Sequence, residues 1–217
     1  MDMADRTLLV EGEADKSFFE EFCKTLKLHT CVKVAPPKDV GGLRNGREGV
    51  FELIPELLKS AGLNVIRLAA VVDADSDVNG GGYQRTIDRV AKIVAPYGFT
   101  LISNPVGGIL FEHDDGLADF GLWVMPNNRD EGMLEDWIKS CVHPDEVVLF
   151  KHAKEVVCEL SQPKFKPIHR SKAIVATWLA WQEKPGHGLY RIVEDNLIDL
   201  DSATCKELSG WLNHIYR

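Results

Sequence analysis

Apolar and polar positions come in short blocks along the first 140 residues. Leu8-Leu9-Val10 is an apolar run that stops at Glu11-Gly12 and predicts a strand. Phe18, Phe22 and Leu26, with Phe19, Cys23 and Leu28, recur at helical spacing and predict a helix from about Asp15 to Leu28. Val32–Ala35 predicts a weaker strand, ended by Pro36-Pro37. After a Gly41-Gly42 turn, Val50, Leu53, Ile54, Leu57 and Leu58 mark a second helix, with Gly62 as its C-cap. Val65–Val72 is the strongest strand pattern and runs straight into Asp73. A Gly80-Gly81-Gly82 loop leads into a helix carrying Ile87, Val90, Ile93 and Val94, closed near Pro96. The apolar runs Phe99–Ile102 and Ile109–Phe111 follow, then a core strand at Leu122–Met125. Gly132–Cys141 reads as a helix with Met133, Leu134, Trp137 and Ile138 on one side.

From Pro144 the strand signals cease. Val147–Leu160, Ser171–Trp181 and Ser202–Ile215 predict three helices, separated by loops at Pro163–Pro167 and Pro185-Gly186-His187-Gly188. The order predicts an α/β fold: an open, mostly parallel sheet flanked by helices over residues 1–143, with a helical extension over 144–217 packed on it.

Charge changes this picture more than composition does. The chain has 217 residues, 45% hydrophobic and 27% charged, which excludes collagen-like and disordered classes. Its 25 Lys and Arg against 33 Asp and Glu give a net charge of −8, unlike a general polyanion binder. The deficit is uneven. Residues 1–150 carry 15 basic and 25 acidic side chains, net −10, whereas Lys151–Arg191 carries eight basic and three acidic, net +5. The N-terminal residues lack the charged and apolar regions of a secretory signal, and no run approaches the length of a membrane span. Five scattered cysteines with no CxxC pattern predict reduced, mostly buried thiols in a cytoplasmic protein.

Two predicted strands end in acid. Val10 gives way to Glu11, and Val72 gives way to Asp73-Ala74-Asp75. Ligands of open α/β sheets gather at the carboxyl ends of the strands. If these two strands are adjacent and parallel, Glu11, Asp73 and Asp75 converge, and hard oxygen ligands so crowded suit Mg²⁺ or Mn²⁺. Gly12 is expected to provide a tight turn behind Glu11.

Val10-Glu11-Gly12-Glu13-Ala14-Asp15, followed some sixty residues later by Asp73-Ala74-Asp75-Ser76-Asp77, resembles the Toprim domain of topoisomerases, bacterial primases and OLD-type nucleases. The resemblance implies Glu11 as the first motif and Asp73 and Asp75 as the second. For the nuclease branch it further implies Asp15 and Glu135 as metal ligands. The whole chain is more closely similar to the DUF3226 Toprim-like family. That similarity lies in Val124-Met125-Pro126-Asn127-Asn128, Gly132-x-Leu134-Glu135-Asp136 and Lys172-Ala173-x-x-x-Thr177-Trp178-Leu179-Ala180. Asp77 lengthens the acidic run beyond the family pattern. Chain length leaves no room for a strand-passage domain, and no zinc-ribbon cysteine set is present, which disfavours topoisomerase and primase activities.

The resulting expectation is Mg²⁺- or Mn²⁺-dependent phosphodiester cleavage of DNA or RNA. One or two ions are held by Glu11, Asp15, Asp73, Asp75 and Glu135, and water is the nucleophile. Lys16 and Arg44 are the cations nearest by inferred topology. In nuclease relatives a lysine from further along the chain assists, a role open to Lys164, Lys166 or Lys172. Arg44, Lys164, Lys166, Arg170 and Lys172 are expected to contact the nucleic acid backbone, and Lys16 is expected to act as a catalytic cation offsetting the phosphate charge. Asn127–Asp130 can hold substrate or simply form a turn, and Glu112–Asp115 reads as a hairpin turn. Phosphatase-type Asp-x-Asp chemistry fits less well, because it leaves Glu11 without a role. The alternative is a metal- or nucleic-acid-binding module that works with a separate ATPase, since this sequence carries no P-loop of its own.

Overall fold

The computed structural model describes residues 6–35, 46–60, 67–74, 82–102 and 107–217. In chain order the elements are β1 (Arg6–Val10), α1 (Glu13–Thr25), β2 (Cys31–Val34), α2 (Arg47–Ser60), β3 (Arg67–Asp73) and α3 (Tyr83–Val94). They continue with β4 (Phe99–Ile102), β5 (Ile109–His113), β6 (Phe120–Met125), α4 (Leu134–Ser140), α5 (Val147–Cys158), α6 (Arg170–Ala180), α7 (Tyr190–Glu194) and α8 (Ala203–Tyr216). The strands form one six-stranded sheet in the order β2-β1-β3-β6-β5-β4. β2, β1, β3 and β6 run parallel, while β5 and β4 are antiparallel at one edge. This is the mostly parallel, helix-flanked α/β sheet expected from the apolar blocks.

Side chains alternate across the sheet with period two and divide its core into two layers. Leu8, Val10, Ala69, Val71, Trp123 and Met125 face the helices α1 and α4–α8. Leu9, Leu68, Ala70, Val72, Leu122 and Val124 face α2 and α3. Burial on both faces explains why β3 reads as an unbroken apolar run rather than an alternating one. The second half of the chain shares the first of these layers: Ala153, Trp178, Ile192 and Trp211 belong to the same cluster as Leu8 and Phe18.

Two details differ from expectation. A fourth helix, α7, spans Tyr190–Glu194, where five residues are too few to show a period. Gly12 takes φ −149° and ψ 170°, an extended conformation open to any residue, and a Cβ there would meet Asp15 Oδ2 at an ordinary 3.6 Å. The expected tight turn is therefore not what places Glu11. Gly41-Gly42, Gly62 and Gly80-Gly81 lie outside the described residues. The cysteines are free; Cys23, Cys141 and Cys205 are buried, and Cys158 is exposed. Among the described residues no helix is long and apolar enough to cross a membrane.

Helix α8 lies against the sheet where two glycines leave space. The indole of Trp211 occupies the position a Cβ would take at Gly108, 2.0 Å from its Cδ1. A Cβ at Gly121 would meet Ile215 Cδ1 at 2.7 Å. Arg67 donates to the Ile215 carbonyl at 2.9 Å, and the buried Tyr216 hydroxyl donates to the Thr7 carbonyl at 2.8 Å. Gly108→Ala is expected to cost about 1–3 kcal/mol, because a buried indole has no free space to move into. Gly121→Ala should cost less, since the closest clash is with the flexible Ile215 terminus and the Trp211 ring is met only at 3.0 Å. Urea denaturation midpoints of the two variants against the parent check that order.

Candidate active site

Parallel pairing of β1 with β3, in a register that sets Leu9 beside Ala70, brings the two acid-ended strands together. The Asp73 N–H donates to Glu11 Oε1 at 2.8 Å, so the first carboxylate is pinned by the backbone of the second. Asp73 Oδ1 in turn accepts the N–H of Leu134, the first residue of α4, at 3.1 Å. Helices α1 and α4 begin alike: Gly12 N–H donates to Asp15 Oδ2 at 3.0 Å, and Met133 N–H to Asp136 Oδ2 at 3.1 Å. In each case the third helical residue caps the preceding backbone donor.

Glu135 is only 5% exposed, although it is acidic. Its Oε1 accepts from Lys172 Nζ at 3.2 Å, while its buried Oε2 has no hydrogen-bond partner among the described residues. Lys172 stands in the first turn of α6, whose neighbouring Ser171 donates to Asp136 Oδ1 at 2.6 Å. Packing behind the site holds these helix starts in place. The Trp137 ring meets Phe18 and Phe22 edge-on, each at 5.7 Å, which ties α4 to α1.

The electrostatics follow from this crowding. Burial, and then the charges of Glu11 and Asp15, push the Asp73 carboxyl well above its ordinary range. Burial raises Asp15 from 3.8 to about 6, with Lys172 opposing and Glu135 adding to the rise. For Lys172, burial works against the ammonium, but Glu135, Asp73 and Asp15 outweigh it and its pKa rises. Glu11, Asp15, Asp73, Glu135 and Lys172 thus form one electrostatic unit.

Of the residues singled out in the sequence, Asp75 and Arg44 lie outside the described residues. Lys16 pairs with Glu13 at 3.9 Å on the partly exposed side of α1 and does not join the cluster. Lys164, Lys166 and Arg170 are exposed. Lys172, expected to touch nucleic acid with them, is also half-exposed and pairs with Glu135 at 3.2 Å. Arg47 is absent from the sequence-based set. The first residue of α2, it donates to the carbonyls of Asp73 and Ala74 at 3.4 and 3.2 Å. A glycine directly before a helix-start arginine is the signal available for it; Gly46 has φ +64°, and a Cβ there would lie 3.7 Å from Glu11 Oε2.

Asn127 and Asn128 serve the turn after β6. Asn128, at φ 58°, is buried, accepts Val124 N–H at 2.7 Å and donates to the Gly107 carbonyl at 3.0 Å. Asn127 Oδ1 accepts the backbone N–H groups of Arg129 and Asp130. Glu112–Asp115 closes a turn at the end of β5, where His113 Nδ1 accepts the Asp115 N–H.

Among the described residues no three His, Cys, Asp or Glu side chains stand as an assembled metal centre. One oxygen each of Glu11, Asp15, Asp73 and Glu135 is already engaged by an N–H or an ammonium. The donor set nevertheless fits a hard divalent cation: its oxygens are carboxylate, and among the described residues the buried Glu135 Oε2 has no hydrogen-bond partner.

The model of the family described as "Protein of unknown function (DUF3226)" matches residues 5–217. No curated protein and no solved structure matches the chain.

The Asp15 shift has a stability consequence with a definite sign. Its folded pKa of about 6 exceeds the unfolded 3.8, so the native state holds the proton more tightly between those values. Stability contributed by the neutral carboxyl is therefore present below the unfolded pKa and lost as pH rises through about 6. Without divalent ions, Asp15→Asn should be more stable than the parent at pH 7, by up to about 3 kcal/mol. The two should converge near pH 4. Melting temperatures in EDTA across that range test this; an Asn variant less stable at pH 7 contradicts it.

Proposed function

We infer that this chain, which belongs to the DUF3226 family, is a divalent-metal-dependent enzyme that hydrolyses phosphodiester bonds of DNA or RNA. The observation that carries the reading is the partly buried carboxylate cluster gathered at the ends of β1 and β3, with the Lys172 ammonium on Glu135 beside it. The similarity of Glu11-Gly12 and Asp73-Ala74-Asp75 to the Toprim motifs supports it independently.

Glu11, Asp73 and Asp75 would hold Mg²⁺ or Mn²⁺, one or two ions, with Asp15 and Glu135 beside them. When bound, the ion supplies Lewis-acid polarisation of the phosphoryl group and of water. The chain's own residues position the rest. Glu11 is oriented by the Asp73 N–H, and Asp73 by the Leu134 N–H, so both carboxylates are fixed before substrate arrives. Lys172, its side chain 47% exposed, holds Glu135 and presents its ammonium toward a phosphate oxygen. In this reading water is the nucleophile. Its oxygen bonds to phosphorus as one ester P–O bond breaks, leaving a phosphate monoester and a free hydroxyl.

The test is incubation of the purified protein with plasmid, single-stranded DNA and structured RNA, in Mg²⁺ or Mn²⁺. Metal-dependent cleavage should fall by roughly a hundredfold or more in both Glu11→Gln and Asp73→Asn. Lys172→Ala should lower cleavage while keeping the metal-dependent rise in melting temperature. Equal cleavage by parent and both carboxylate variants sinks the assignment. A metal-dependent rise in melting temperature without any cleavage favours the alternative, a binding module that works with a separate ATPase.

A further inference from the structure

We propose that the substrate is presented as a single strand along the tract Lys164–Arg170. This inference rests on the phosphodiesterase reading for the acid cluster to which the tract leads. Many surface cations of this chain are neutralised internally: Lys24 by Glu21 at 3.0 Å, Lys59 by Glu56 at 2.9 Å and Lys206 by Asp201 at 3.1 Å. Lys164, Lys166 and Arg170 are exposed and have no ion-pair or hydrogen-bond partner among the described residues. No Asp or Glu occurs between Glu159 and Glu183 to neutralise them. The tract runs directly into the site. Arg170 opens α6, and two residues later Lys172 binds Glu135.

The tract is narrow and has an acidic border. Beside the start of α4 lies a cavity of about 440 Å³ lined by Asp130, Glu131, Asp136 and Glu207. Its one arginine, Arg129, is paired with Glu207 at 3.6 Å. Asp136, paired with Lys139 at 2.7 Å, also accepts from Ser171, so the wall that carries Asp130, Glu131 and Glu207 adjoins the tract. A duplex carries two phosphate rows across a major groove about 12 Å wide, and seating one row on the tract sets the other against acid. A single strand brings one row only. Its bases are also unpaired, and the tract interleaves its cations with the half-buried Phe165 and with Ile168, 39% exposed. Alternating cations and apolar side chains suit a strand whose phosphates and base faces both need partners.

Fluorescence anisotropy of the full chain in Ca²⁺ tests this with labelled DNA and RNA strands of about 20 nucleotides and the matching duplexes. Single strands should bind at least about tenfold tighter than duplex at equal salt, and the DNA and RNA arms identify which is preferred. Lys164→Ala, Lys166→Ala and Arg170→Ala together should weaken single-strand binding about tenfold or more and flatten the log K against log salt slope by about 2. Phe165→Ala should weaken it about fivefold or more with the slope unchanged. The three charge substitutions are at exposed positions, so the test stands even if Phe165→Ala misfolds. Duplex binding as tight as single-strand binding, or an unchanged slope in the triple variant, overturns the proposal. Single-strand binding through the tract without Mg²⁺- or Mn²⁺-dependent cleavage overturns the phosphodiesterase reading alone. Cleavage of duplex that ignores the tract overturns this inference alone.

Discussion

Four carboxylates share one edge of a parallel sheet, and the structure around them is arranged to tolerate their repulsion. Parallel pairing of β1 and β3 leaves both strand ends, and the starts of the helices that follow, on one side. Backbone N–H groups at those starts are the cheapest available compensation, and Asp15, Asp73 and Asp136 each take one. They do not suffice, because Asp73 remains shifted strongly upward. Lys172 is a further offset, and it comes from a helix distant in sequence from the acid-ended strands.

That dependence gives the helices of the second half a definite task. The position of Lys172 is set by the burial of Ile174, Val175 and Trp178 on the inner side of α6. Trp178 Nε1 and Gln182 Nε2 both donate to Glu146 Oε2, at 2.9 and 2.8 Å, which fixes the far end of the helix against the start of α5. Helix α8, seated over Gly108 and Gly121, covers the neighbouring part of the same layer. A helix held this firmly can keep a half-exposed ammonium beside buried acids without a flexible side chain having to find it.

The sheet and the acid ends of its strands are legible in the sequence because both are local signals. Leu8-Leu9-Val10-Glu11 and Leu68–Asp73 show an apolar run and its polar stop within a few residues. Glu135 was accessible only through resemblance, since its burial depends on α4 packing against α1 through Trp137, Phe18 and Phe22. The place of Lys172 is less legible still. Its partner lies 37 residues away, and nothing in Arg170-Ser171-Lys172 distinguishes an inward lysine from its exposed neighbours. Arg47 escaped for a related reason: it acts on carbonyls of β3, not on an acid that charge pattern would reveal. Gly12 misled in the opposite direction, as a glycine beside a motif whose backbone is plainly extended.

The hydrogen bond from Tyr216 to Thr7 joins residues 209 positions apart, and Glu135 and Lys172 add another closure across the middle. Contacts of such long sequence separation require large loops to close before they are rewarded, and they slow folding. The strand that ends just before Glu11 is thus locked by α8, at the opposite end of the sequence. A chain in which α6 were not docked would lack the Lys172 ammonium beside Glu135, so the charge balance of the site depends on the helical half being in place.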